Sequence, residues 1–139
     1  MLTCSDSALA AGWSKFCVLT RPQAHALIGR IVVREGSATE RDCSYVGDPY
    51  GLNMVQLPAS NIAVHASRGV KVIVLHGIGR DATLTTRALT RTPGVGAEVA
   101  FTIAKTRYEL SLTVTRTSLS SRQVSLLVAD SRRLAKKLS

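Results

Sequence analysis

Apolar and polar residues change their spacing several times along the chain. Residues 1–15 show no period and are expected to form a flexible arm ahead of a single domain over 16–139. Phe16-Cys17-Val18-Leu19 is a short apolar run, and Thr20-Arg21-Pro22-Gln23 then predicts a helix start. Thr20 caps, Pro22 is harmless in the first turn, and Gln23 completes a capping box. The helix carries Ala24, Leu27 and Ile28 and stops at Gly29, a residue suited to the left-handed terminator conformation. Its inward face is small, so it must lie on a larger surface.

The spacing then shortens to two. Ile31-Val32-Val33 and Arg41 to Val46 read as strands around Glu35-Gly36-Ser37. Gly47-Asp48-Pro49-Tyr50-Gly51 is a turn, and Leu52 to Leu57 completes a hairpin before Pro58-Ala59-Ser60 interrupts it. Val70 to Leu75 is the most apolar β-branched run and is expected to be a buried strand. Residues 77–93 mix Gly, Thr and Arg; here Asp81 is expected to cap a short helix through Leu84, Ala88 and Leu89, closed by Pro93.

Two further strands are predicted at Ala97 to Ala104 and Tyr108 to Arg116, joined by Lys105-Thr106-Arg107. The second alternates cleanly: Tyr108, Leu110, Leu112 and Val114 on the core side, Glu109, Ser111, Thr113 and Thr115 on the solvent side. Ser120 or Ser121 then caps a terminal helix whose apolar face carries Val124, Leu127, Leu134 and Leu138, with Val128 beside it. Hairpin spacing dominates, and a strand with one polar face fits a sheet covered on one side. The expected fold is α+β: an antiparallel sheet with a short N-terminal and a longer C-terminal helix packed on one face.

At 139 residues the chain is one domain's length, and no apolar window approaches the span of a membrane helix. Charge is unevenly placed. Residues 1–67 hold five basic and five acidic side chains; residues 68–139 hold thirteen and four, so the net charge of +9 lies entirely in the second half. An anionic partner becomes a candidate: nucleic acid, an anionic surface or an acidic protein. The candidate anion-binding surface comprises Arg80, Arg87, Arg91, Lys105, Arg107, Arg116, Arg132, Arg133, Lys136 and Lys137. With four local acids for thirteen bases, these are expected at the surface and not in buried ion pairs. Aromatic stacking platforms are scarce beside them, with Phe101 and Tyr108 the nearest.

Three cysteines stand at 4, 17 and 43, with no C-x-x-C pair and no histidine at metal-ligand spacing, so neither metal nor cofactor is expected. Cys17 and Cys43 fit either two buried free thiols or a bridge closing a loop of about 26 residues, which would contribute on the order of 3 kcal/mol. Leu2-Thr3-Cys4-Ser5 is similar to the end of a bacterial lipoprotein signal, although Thr3 is larger than usual there. A chain starting after a removed signal, an internal start and a cytosolic protein all stay open.

The sharpest local pattern is Val72-Ile73-Val74-Leu75-His76-Gly77-Ile78-Gly79. It is similar to the oxyanion-hole segment of α/β-hydrolases and partly matches a dinucleotide fingerprint, Gly77-x-Gly79-x-x-Ala82. No Gly-x-Ser-x-Gly elbow accompanies it. The acid at the right distance for a ribose, Glu98, opens a predicted strand where such an acid should close one. The glycines are therefore expected to make a structural turn. His25, His65 and His76 are scattered, and no base can be nominated for a hydroxyl nucleophile.

Three segments together resemble a family of small bacterial secreted or lipoprotein-borne domains of unknown function. They are Cys17-Val18-Leu19-Thr20 with Ala24 and Leu27-Ile28-Gly29; Cys43-Ser44-Tyr45; and Gly94-Val95-Gly96 with Glu98, Ala100 and Phe101. Leu134-Ala135-Lys136-Lys137-Leu138 matches the family's helical ending. Ala97 stands where the family often has Asp, and Val99 is an extra residue before Ala100. The resemblance implies a Cys17–Cys43 disulfide and export to the periplasm, the exterior or a lipid anchor, with no catalytic residues. The expected function is that of a non-enzymatic, envelope-associated or secreted domain acting by binding. The alternatives are a basic cytosolic module binding nucleic acid or another polyanion, and a truncated hydrolase-like chain using His76, Gly77 and Gly79.

Overall fold

The computed structural model describes residues 19–29, 33–34, 42–59, 70–89 and 91–139. The expected N-terminal arm, Cys4, Cys17 and His65 lie outside these, and Cys43 is described by its backbone alone. The elements in chain order are α1 (Arg21–Ile28), β1 (Val33–Arg34), β2 (Asp42–Gly47), β3 (Tyr50–Pro58), β4 (Val70–Val74), β5 (Arg80–Ala88), β6 (Gly94–Ile103), β7 (Thr106–Thr115) and α2 (Ser121–Leu138). The strands form one antiparallel sheet in the order β1-β2-β3-β7-β6-β5-β4, with both helices on one face. The α+β class, the single-faced helical cover and the short-then-long helix order follow the sequence pattern.

The helix boundaries are set by side-chain chemistry. The Thr20 hydroxyl accepts the Gln23 N–H, and the Gln23 side chain in turn accepts the Thr20 N–H at 2.8 Å. Ser120 and Gln123 repeat the arrangement at α2, which settles the cap on Ser120. Two of the donors a helix start leaves unpaired are satisfied at each site. Gly29 closes α1 at φ 72°.

Inward residues of the central strands meet in lanes across the sheet. Tyr45, Leu52, Leu112 and Ala97 form one lane; Met54, Leu110, Val99 and Leu84 form the next. Leu19, Ala24, Leu27 and Ile28 cover the β2–β3 side, and Leu127, Leu134 and Ala135 of α2 complete the core. The two helices are tied directly, since the Gln123 side-chain amide donates to the Leu27 carbonyl at 3.0 Å.

Two expectations are corrected here. Residues 81–89 are not a helix: Arg80–Ala88 is a nine-residue strand paired with both β4 and β6. Leu84 and Ala88 stand four apart, which mimics a helical face. Ala82 and Leu84 also stand two apart and point inward, while Thr83, Thr85 and Thr86 are β-branched. Two flanking strands decide the conflict. Val70–Val74 is a strand as expected but not a buried one. Among the described residues it is the edge of the sheet, with Ile73 at 41% and Val74 at 65% exposure. A continuous apolar run usually marks a strand covered on both faces; here it marks an edge covered on neither side fully.

Candidate functional site

Among the described residues, no helix lies over the second face of the sheet. The side chains there come from alternate positions of every strand and form polar lanes. Ser44, Asn53, Ser111, Glu98 and Thr85 share one lane; Gly51, Thr113, Gly96 and Arg87 share the adjacent one. The Ser111 hydroxyl donates to Glu98 Oε2 at 2.9 Å, and Ser44 Oγ lies 2.9 Å from Asn53 Oδ1. Gly51 and Gly96 flank Thr113, so their missing side chains lower the floor of the second lane. The result is a shallow depression lined by Thr85, Arg87, Gly96, Ala97, Glu98, Ser111 and Thr113.

One lane further along, Glu109 and Arg107 of β7 carry opposite charges on this same face. Arg107 Nε and Glu109 Oε2 are 3.4 Å apart, with the side chains 6% and 22% exposed. Burial pushes the Glu109 carboxyl above its ordinary value, the neighbouring Glu98 charge adds to this, and Arg107 opposes it. Ser111 bonds to a carboxylate with no histidine between them. That arrangement orients a hydrogen-bonding surface. The face exposes hydrogen-bond donors and acceptors from several strands.

The ten basic residues named as a candidate anion surface are divided. Arg80 and Lys105 lie at the β6–β7 turn end, where the Arg80 guanidinium donates to the Ala104 carbonyl at 2.9 Å. Arg132 on α2 reaches the His76 carbonyl in the β4–β5 connection at the same end. Arg87, Arg91 and Arg116 belong to the opposite end, about 30 Å away along ten-residue strands. Arg116 stands 3.6 Å from Asp48, both highly exposed, a pair of small energetic weight. Arg133 pairs with Asp130 at 3.4 Å, while Lys136 and Lys137 are exposed on the last turns of α2. Arg107 belongs to neither group. It is buried and ion-paired, against the expectation for this set.

His76-Gly77-Ile78-Gly79 forms the connection from β4 into the antiparallel β5. The helix that should follow an oxyanion-hole or dinucleotide segment is a strand here. Gly79 has φ 53°, and a Cβ on it would lie 2.6 Å from the Thr102 carbonyl oxygen, so the glycine is required by packing against β6. Ile78 beside it is fully buried in the core. His25 is exposed on α1.

Sequence reasoning placed Glu109, Ser111 and Thr113 on the solvent side but did not assemble them with Glu98 and Thr85. The signal that hid Glu98 is the composition of β6. Val99, Ala100, Phe101 and Thr102 are all buried, so the strand reads as apolar on both faces. No protein-family model, no curated protein and no solved structure matches the chain.

Proposed function

We propose that this protein is a non-enzymatic, envelope-associated or secreted domain that acts by binding, and that the open sheet face is its binding surface. The observation that carries the reading is the depression over Gly96, where a guanidinium, a carboxylate and three hydroxyls converge on a rigid central pair of strands. Sites built on strands hold their donors and acceptors in fixed geometry. An NMR fragment screen on labelled protein tests it directly. Amide shifts should concentrate at Thr85, Gly96, Ser111 and Thr113; shifts confined to other regions overturn the assignment of the face.

The export half of the reading is supported by the surroundings of the cysteine positions. The Tyr45 hydroxyl donates to the Leu19 carbonyl at 3.0 Å, and the Leu19 N–H donates to Met54 Sδ at 3.4 Å. Met54 is the register partner of Cys43, and Tyr45 follows Cys43 by two residues along β2. Cys17 precedes Leu19 by two residues, which is about 7 Å of chain at most. We infer a Cys17–Cys43 bridge from the family resemblance of the segments that carry the two cysteines, and it would be stable in an oxidising compartment. Mass measurement of the alkylated protein with and without prior reduction decides it. Two additional alkylated cysteines after reduction, mapped to 17 and 43, support export; free thiols in the freshly exported protein sink it.

A second reading, a module for a polyanion, is favoured by the group formed by Arg80, Lys105 and Arg132 at one end of the sheet. Retention on immobilised heparin should then fall steeply with salt. No retention at low salt removes this reading.

A further inference from the structure

The two large apolar side chains most exposed among the described residues, Ile73 and Val74, sit on the same strand, β4. That strand pairs with β5 alone among the described residues and ends the sheet order. The Leu75 N–H donates to the Ala82 carbonyl at 2.9 Å, so the main-chain groups of Leu75 point toward β5. In an antiparallel ladder this direction alternates. Ile73 and Lys71 therefore also bond to β5, whereas Val70, Val72 and Val74 present N–H and C=O outward. The strand is free of proline, and its pairing with β5 runs without a bulge. Such an edge is a template for one more strand.

The charge around the edge selects its occupant. Lys71 is exposed on the helix side of β4, and Arg87, the register partner of Val70, is exposed on the other side. Arg132 is anchored at the far end on the His76 carbonyl, and β5 contributes one acid, Asp81. A second copy would bring a chain of net charge +9 against another, with Lys71 inside the shared edge. Native sheets use a lysine at this place to discourage self-pairing. We infer that β4 accepts an extended, acidic segment of a partner protein as an added strand, with its apolar residues on the open face against Val72 and Val74 and its alternate carboxylates on the helix face meeting Lys71, within the field of Arg87. This rests on the binding function proposed above and names a partner for it; the edge shares only Arg87 with the Gly96 depression, so Val72→Pro and Gly96→Ala let the two fail separately.

The test is fluorescence anisotropy with a labelled nonapeptide of alternating Glu and Val, against a control of alternating Lys and Val. The acidic probe should bind at low salt and weaken by about tenfold or more on raising NaCl from about 50 to about 500 mM. The control should not bind. Val72→Pro removes an outward N–H without touching the β5 ladder, and proline is tolerated on such an edge. It should weaken the probe by about an order of magnitude, as expected for lost main-chain hydrogen bonds. The double variant Lys71→Glu, Arg87→Glu keeps the backbone intact and should exchange the preference, binding the lysine probe over the acidic one. Failure of the acidic probe to bind, equal binding by all variants, or a dimer that Val72→Pro dissolves would each overturn the edge assignment. Amide shifts at Ser111 and Thr113 instead of β4 would also overturn it while leaving the open-face reading in place.

Discussion

The two faces of β7 show the same backbone put to different uses. Leu110, Leu112 and Val114 are at most 1% exposed, packed between neighbouring strands and the helical layer. One residue away in each case, Glu109, Ser111 and Thr113 face a side without helices among the described residues and find polar partners instead. Stability is concentrated on the covered face, because burying apolar area contributes more than half-exposed hydrogen bonds do. The open face is left free to vary in chemistry. Adjacent substitutions should separate the two. Leu112→Ala, at the crossing of Leu52 and Ala97, should lose about 3–4 kcal/mol. Thr113→Ala, next in sequence, should stay within about 0.5 kcal/mol. Urea unfolding of both variants gives the two values; equal losses would break the division between faces.

Arg107 breaks that division from within, because it is buried although it stands on the open side. Its guanidinium is paired with a carboxylate whose affinity for protons is raised by burial. Removing one member of a buried pair leaves the other uncompensated, and Arg107→Ala should cost about 2–3 kcal/mol. Replacing both members, Arg107→Leu with Glu109→Leu, should recover most of the loss. If the double variant is no more stable than the single one, Arg107 acts by filling space and not by pairing.

Legibility in the sequence followed the reach of the forces involved. The capping box of α1, a cap at Ser120 or Ser121 for α2, the Gly29 stop and the alternation of β7 are local and were readable from a few residues. The mistake over residues 81–89 arose where local signals conflict, since Leu84 and Ala88 fit a helix while Thr83, Thr85 and Thr86 fit a strand. Only the partners β4 and β6, far apart in sequence, resolve it. The exposure of Ile73 and Val74 was hidden for a related reason: an apolar run states a preference for burial but not its place in the strand order. The depression over Gly96 requires three strands in register, and no single segment carries that information. The basic residues were legible as a charge asymmetry. Their division between two ends of the sheet depends on topology, and the burial of Arg107 on a register position between Leu57 and Thr102.

The helical layer contains a polar position that sharpens the contrast through pH. Asp130 has a side chain only 6% exposed, and burial raises its carboxyl above the ordinary value while Arg133 partly offsets this. The folded state then holds that proton more tightly than the unfolded chain. Stability from this group is fully present below the ordinary carboxylate range near about 4, and is lost as pH rises through the raised value. Asp130→Asn removes the penalty, and the exposed Arg133 loses little with it. The variant should unfold at a higher temperature than the native protein at pH 7, with the difference closing as pH falls below about 4. A variant less stable at pH 7 would show that the carboxylate is paired better than its geometry indicates. Glu109 has the same sign, but its pairing with Arg107 prevents so clean a substitution.

The smallest expected effect on stability falls on the residue that matters most for the open face. A Cβ at Gly96 would meet Thr113 Cγ2 at 3.6 Å and Leu89 Cδ2 at 3.7 Å, which are ordinary contacts. Gly96→Ala therefore enters without a clash, reduces the freedom of the unfolded chain and should leave stability unchanged or raise it by about 0.5 kcal/mol. The same methyl group occupies the floor of the depression between Arg87 and Thr113. Fragments that shift Ser111 and Thr113 in the native protein should lose their hold on the variant. The edge strand β4 lies two strands away from β6, which carries Gly96, and its acidic probe should bind Gly96→Ala as before. If the methyl group weakens the edge probe and spares the fragments, the depression is an incidental feature of two small residues, and recognition belongs to the edge alone.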